Sequence, residues 1–160
     1  MARSELDIVV RIECRAWRSA WPRLSNGAHR FLAAAARRPE FRSAPRGEIT
    51  IVFADDERLR ALNAQFRGKD RPTNVLSFPD AAAPLGGMAL AYETVRSEAS
   101  AQRKQFVNHA KHMILHGFLH LLDYDHQTKR QARLMERLEI AILSDMGIPN
   151  PYLIETKTRA

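Results

Sequence analysis

A chain of 160 residues, 45% of them apolar, is long enough for one domain with a substantial core. Its 25 lysines and arginines outnumber 18 aspartates and glutamates for a net charge of +7, a balance that favours polyanionic partners through phosphate contacts. No apolar run is long enough to form a membrane-spanning helix, and the single cysteine, Cys14, excludes an internal disulfide and fits a reducing cytoplasm.

The first five residues pass into a strand pattern without the apolar stretch of a signal peptide. Leu6, Ile8, Val10 and Ile12 alternate with Asp7, Val9, Arg11 and Glu13, the period of a strand. Cys14 follows as a small core or edge residue. Trp21-Pro22 breaks the chain, and a helix is predicted from about residue 24 to 37, with Phe31, Leu32 and an alanine run inside it. Pro39 and Pro45 bracket a loop. Residues 48–54, with Ile49, Ile51 and Phe53, read as a second strand. Asp55 is the expected N-cap of a helix to about Phe66, with Leu59, Leu62 and Phe66 on one side. Residues 67–72 form a charged loop, and residues 73–78 a short strand stopped by Pro79. A loop over 80–84 and a strand over 87–91 follow. Helices are predicted over about 93–102, 106–122 and 129–146. Leu134, Leu138, Ala141, Ile142 and Met146 form the expected apolar stripe of the last helix, which Gly147 and Pro149 end. The tail from Asn150 is expected to be loose. These elements predict a single-domain α+β fold, with about four strands in a mixed sheet and about five helices. The strand order does not follow from them.

The chemistry concentrates in residues 116–126. His116 and His120 stand four apart on a predicted helix and project from one face. His126 follows six residues later, so three of the six histidines share this window. Three imidazoles with a fourth position open is the pattern of a catalytic rather than a closed structural zinc site. The helix is otherwise apolar, through Val107, Met113, Ile114, Leu115, Phe118, Leu119, Leu121 and Leu122, where unpartnered histidines would carry a desolvation cost. Gly117 costs about 1 kcal/mol in a helix interior relative to alanine, so either close packing or a close approach to the backbone is expected there. The spacing is that of the zinc-protease helix His-Glu-x-x-His, but Gly117 stands where that motif carries its glutamate base. The protease reading is therefore disfavoured.

Two separated segments resemble the motifs of one family. The window His116-Gly117-Phe118-Leu119-His120-Leu121-Leu122-Asp123-Tyr124-Asp125-His126 is similar to the histidine signature of the YbeY family of bacterial endoribonucleases and rRNA maturation factors. The stretch from Leu62 through Arg67-Gly68-Lys69-Asp70-Arg71-Pro72-Thr73-Asn74 to Pro79 resembles that family's loop and strand, and Tyr92-Glu93-Thr94-Val95 also fits. The resemblance runs over about residues 48–146. It implies an α+β metalloprotein, with zinc held by His116, His120 and His126. It also implies hydrolysis of single-stranded RNA, 16S rRNA 3′-end maturation and late 70S ribosome quality control in the cytoplasm, with the ribosome and its proteins as partners. Arg67 matches a functionally important arginine of the family's cleft. Three positions depart from the pattern: Asp123 replaces a glycine, Asn74 an aspartate, and Gly87 a frequent aspartate. A left-handed helix end tolerates aspartate better than most residues, so the turn at Asp123 is expected to survive.

On this reading Arg67 is the catalytic residue, and Arg67, Lys69, Arg71 and Ser77 bind the substrate. His112 is expected to be a partly exposed histidine beside the site, or else a further ligand. His109 and His29 are read as surface residues. Asp123 and Asp125 are candidates for orienting a ligand imidazole. Imidazole sites also accept nickel or copper. The alternatives are a non-enzymatic ribosome assembly factor with a structural metal, and a metal-dependent hydrolase of a nucleotide or peptide.

Overall fold

The computed structural model describes residues 6–80 and 83–153. In chain order its elements are β1 (Asp7–Ile12), α1 (Ala16–Ala20), α2 (Leu24–Ala36), a 3-10 turn (Pro39–Phe41), β2 (Glu48–Ala54), α3 (Asp56–Arg67), β3 (Val75–Asp80), β4 (Ala83–Ala91), α4 (Tyr92–Ala101), α5 (Phe106–Leu121) and α6 (Lys129–Asp145). The four strands form one mixed sheet in the order β1-β2-β4-β3. β1 and β4 run parallel to β2, and β3 pairs antiparallel with β4 as the edge strand. This is the expected α+β class with a four-stranded mixed sheet. It has one helix more than expected.

Both faces of the sheet are covered, and the strand sequences show it. Ile49, Ile51 and Phe53 of β2 and Met88 and Leu90 of β4 point into the larger core, shared with α2, α5 and α6. Val52, Ala54, Ala89 and Ala91 point the other way, against Leu59 and Leu62 of α3. A central strand buried on both faces carries apolar residues in a nearly unbroken run. The alanines of α2 at 28, 35 and 36 are buried beside Leu32 and bring that helix close to the sheet.

Several expectations need correction. The unpredicted helix, α1, is one turn anchored by Trp17, whose buried indole N–H donates to the Ala54 carbonyl at 2.8 Å. Pro79 does not stop β3. It sits at a bulge between Phe78 and Asp80 on an edge strand, where a missing N–H is tolerated. β4 begins at Ala83, earlier than expected. The buried face of α6 is Met135, Glu139, Ile142 and Leu143, so the predicted stripe is rotated: Leu134 is 57% exposed and Ala141 is on the surface. The chain from Asn150 is not loose at once, because Lys104 Nζ donates to the Pro151 carbonyl at 2.6 Å and Tyr152 is bonded to α6. The rest of the expected tail, residues 154–160, lies outside the described residues.

α5 places the site. It crosses the face of β3 and β4 with Gly117 at the contact. A Cβ there would meet Met88 Sδ at 3.0 Å and Val75 Cγ2 at 3.2 Å. Ser77 Oγ donates to the Gly117 carbonyl at 2.8 Å. Gly117 thus serves close packing of helix on sheet, and His116 and His120 emerge at that contact.

Candidate metal centre

The helix end is shaped by Asp123, which takes φ +70°. Its N–H and that of Tyr124 bond back to the carbonyls of His120 and Leu119, each at 3.0 Å. The expected left-handed turn is therefore present with an aspartate in it. It returns the chain over the helix end and brings His126 to the other two histidines. One ring nitrogen from each of His116, His120 and His126 lies within 4.8 Å of the others. The His116 and His126 rings stack at 5.7 Å between centroids, and those of His120 and His126 meet edge-on at 5.0 Å.

Hydrogen bonds assign the tautomers. His120 Nδ1–H donates to the Tyr124 carbonyl at 3.0 Å, and His116 Nδ1–H donates to Glu139 Oε2 at 3.3 Å. Both Nε2 atoms then present lone pairs to each other across 3.1 Å. Burial, and then the neighbouring His116 and His126, hold His120 below the ordinary histidine range. Two lone pairs converging without a donor, with a third imidazole beside them, fit a divalent transition metal. These residues are placed to hold one.

Behind them lies a group the sequence reading missed. Glu139 on α6 is 0% exposed. Burial pushes its carboxyl up, but hydrogen bonds from His112 and His116 outweigh this and hold it at about 2. His112 is not the partly exposed residue expected. It is 5% exposed and donates Nε2–H to Glu139 Oε2 at 2.6 Å. His109 is not a surface residue either, at 3% exposed, with Nε2 bonded to Glu98 at 2.9 Å. His29 is exposed as expected. The available signal was a glutamate inside the apolar face of an amphipathic helix, since a charged side chain is almost never fully buried unless paired.

In front of the histidines is an open cleft of about 520 Å³, lined by Arg67, Lys69, Arg71, Asn74, Ser77, Thr94 and Glu98 together with the three imidazoles. The structure thus brings Arg67, Lys69, Arg71 and Ser77 together with His116, His120 and His126. Arg67 ends α3, where Gly68 caps the helix at φ +65°. Asn63 Nδ2 donates to the Arg71 carbonyl at 2.9 Å and ties the basic loop to α3. Asp70, the only acid in that loop, is turned to Arg60 at 2.7 and 3.0 Å. The side chains of Arg67, Lys69 and Arg71 have no ion-pair partner among the described residues and stand exposed at the cleft. Asp125 accepts from the His126 backbone N–H at 2.7 Å, so it shapes the turn rather than holding an imidazole. Gly87 is remote from this chemistry: a Cβ there would meet the Phe78 ring at 2.9 Å.

A family model described as Endoribonuclease YbeY matches residues 11–147. A relative named Endoribonuclease YbeY, from Bradyrhizobium sp. (strain BTAi1), is 40% identical over 157 residues, covering 91% of this chain and 90% of its own length. Another of that name, from Rhodopseudomonas palustris (strain CGA009), is 52% identical over 114 residues, or 66% of this chain and 60% of the relative. The solution structure of a Thermotoga maritima protein shares the fold, with a TM-score of 0.57 at 20% identity over 95% of this chain and 99% of that one. The chain belongs to the YbeY family of endoribonucleases.

Proposed function

We propose that the protein is a zinc-dependent endoribonuclease that cuts single-stranded RNA. We further propose that it works in the cytoplasm on the 3′ end of 16S rRNA and in late ribosome quality control, with the ribosome as its partner. One observation carries the reading: three imidazoles converge at the floor of a cleft whose rim holds three cations with no ion-pair partner among the described residues. A bound zinc ion would supply Lewis acidity towards a phosphate oxygen and lower the pKa of a bound water. The residues of the chain do the rest. Arg67 offers a planar fork of N–H donors suited to two phosphate oxygens and stabilises charge that develops on them. Lys69 and Arg71 hold the flanking phosphates. Ser77 uses its O–H as a hydrogen-bond donor to the Gly117 carbonyl and so presents an acceptor lone pair, suited to a ribose hydroxyl. The cleft is open, so a strand can lie through it without its ends being threaded.

The test is cleavage of a 5′-labelled single-stranded RNA by wild-type protein, metal-stripped protein and Arg67→Ala, each with measured metal content. The expected result is cleavage that vanishes on stripping and returns with zinc. Arg67→Ala should keep its metal and lose roughly 100-fold or more in rate, the scale of a missing transition-state donor. Full metal content with no cleavage of any RNA, or cleavage indifferent to stripping, would sink the nuclease reading.

A further inference from the structure

Glu139 does not itself line the cleft and is absent from the motif window, yet three side chains from two other parts of the chain converge on it. Its Oε2 accepts from His112 Nε2 at 2.6 Å and from His116 Nδ1 at 3.3 Å, both on α5. Its Oε1 accepts from the Tyr152 hydroxyl at 2.8 Å, in the segment after α6. A fully buried carboxylate is costly to desolvate, and replacing a buried polar pair as a unit with packed apolar residues is often neutral or stabilising, so its presence is weak evidence for a role in stability. Its placement on the face of α6 that packs the core therefore points to a task other than stability.

We infer that Glu139 is the positioning residue of the metal centre: through its bond to Nδ1 it fixes the ring plane and tautomer of His116 so that Nε2 faces the metal. This rests on the metal centre proposed above. The two ligands on α5 are held unequally. His120 is oriented by a neutral carbonyl, at Tyr124, whereas His116 is oriented by an anion. An anionic acceptor behind an imidazole makes its other nitrogen a stronger donor to a metal. His112 is committed to Glu139 through Nε2, and its Nδ1 is buried without a partner among the described residues. It is therefore no fourth ligand but a clamp on the carboxylate, and Tyr152 is the second clamp.

His112, His116 and Glu139 also lie close enough together to be a second metal-binding group. The 2.6 Å separation of His112 Nε2 and Glu139 Oε2 is short, as hydrogen bonds to a carboxylate are, and assigns the Nε2 proton of His112 as the donor. An ion in the same place would have to displace that proton and break the bond.

The experiment is zinc titration against a competing chelator for wild type, Glu139→Gln, Glu139→Leu and Tyr152→Phe, with melting temperatures of the metal-free proteins. Ring-nitrogen NMR of the metal-free proteins is recorded alongside. Wild type should bind one equivalent, with His116 protonated on Nδ1. Glu139→Gln keeps an acceptor and loses the charge, so its affinity should fall less than that of Glu139→Leu. Glu139→Leu should lose roughly 10–100-fold and let His116 change tautomer. Its melting temperature should fall as well, because His112 and Tyr152 lose their acceptor, so zinc affinity and the His116 tautomer are the deciding readouts. If Glu139→Leu does not fold, Glu139→Gln and Tyr152→Phe decide: weaker zinc binding in both supports the role. Wild-type affinity in the folded variants would overturn it. Two equivalents in wild type and one in Glu139→Leu would also overturn it, since the carboxylate would then be a ligand. A wild-type protein that binds no zinc would overturn the metal centre itself, a result separable from failure of the Glu139 role alone.

Discussion

Asn74 turns its amide nitrogen to both oxygens of Glu98, at 3.1 and 3.2 Å, while its own oxygen accepts from the Val75 N–H at 2.7 Å. The aspartate usual at this position in the family would set a second carboxylate against Glu98. Glu98 is the one carboxylate in the cleft lining among the described residues. Burial pushes Glu98 up, but hydrogen bonds from His109 and Asn74 leave it below the ordinary glutamate value of 4.5. A carboxyl depressed on folding stabilises the fold above its unfolded value, and that contribution is lost as pH falls through the folded value. Asn74→Asp removes the amide donor and adds a like charge, so one of the two carboxyls must move up. The variant should lose about 1–3 kcal/mol at pH 7. The loss should shrink as pH is lowered and the raised carboxyl takes a proton. Thermal melts at pH 7 and pH 5 check this. An equal loss at both values would mean that the damage is steric rather than electrostatic.

At the scale of elements, the contact of α5 with the sheet governs the geometry of the site. Gly117→Ala gains up to about 1 kcal/mol of helix propensity but drives a methyl against Met88 and Val75. The methionine sulfur can swing aside, whereas the branched Val75 on the edge strand cannot move without its backbone. Overpacking of this kind costs about 1–3 kcal/mol, so the net expectation is a lower melting temperature and weaker zinc binding. A variant more stable than wild type would show that the seat is looser than its distances indicate. This contact also shows what the sequence can carry. The interruption of an apolar helix by Gly117, and the spacing of the histidines on either side of it, were both legible. The reason for Gly117 was not, because Val75 and Met88 approach it only through the sheet pairing. The face of α6 was misread for a related reason. Its apolar residues fit a helix period in two rotations, and the one chosen left Glu139 out, as burial preference advises. The carboxylate is buried because His112, His116 and Tyr152 are there to meet it, and no local pattern announces that meeting. α1 escaped notice because one turn is too short to show a period, although Trp17 is among the most buried residues of the chain.

The whole molecule is basic, and its charge is not all in one place. Arg67, Lys69 and Arg71 rim the cleft, while Arg23, Arg30 and Arg37 line a separate groove along α2 that includes Lys111 and no acidic residue. Lys111 projects from α5 about half a turn away from His116 and His120, so this groove and the cleft lie on different sides of the helix. If the cleft is the seat of the substrate, a short single strand should sense the first set of cations and not the second. Each phosphate contact to a single strand contributes about 0.7 to the slope of log affinity against log salt concentration. Replacing Arg67, Lys69 and Arg71 with glutamine should therefore lower that slope by about 2 for a hexanucleotide. The same replacement of Arg23, Arg30 and Arg37 should leave the slope unchanged while altering the net charge identically. Equal losses from the two triple variants would mean that RNA is held by the diffuse field of the molecule, and that the cleft in front of the three histidines is not where the strand lies. A loss confined to the first variant would place the strand in the cleft beside Arg67, in front of the three imidazoles that α5 and the Asp123 turn bring together.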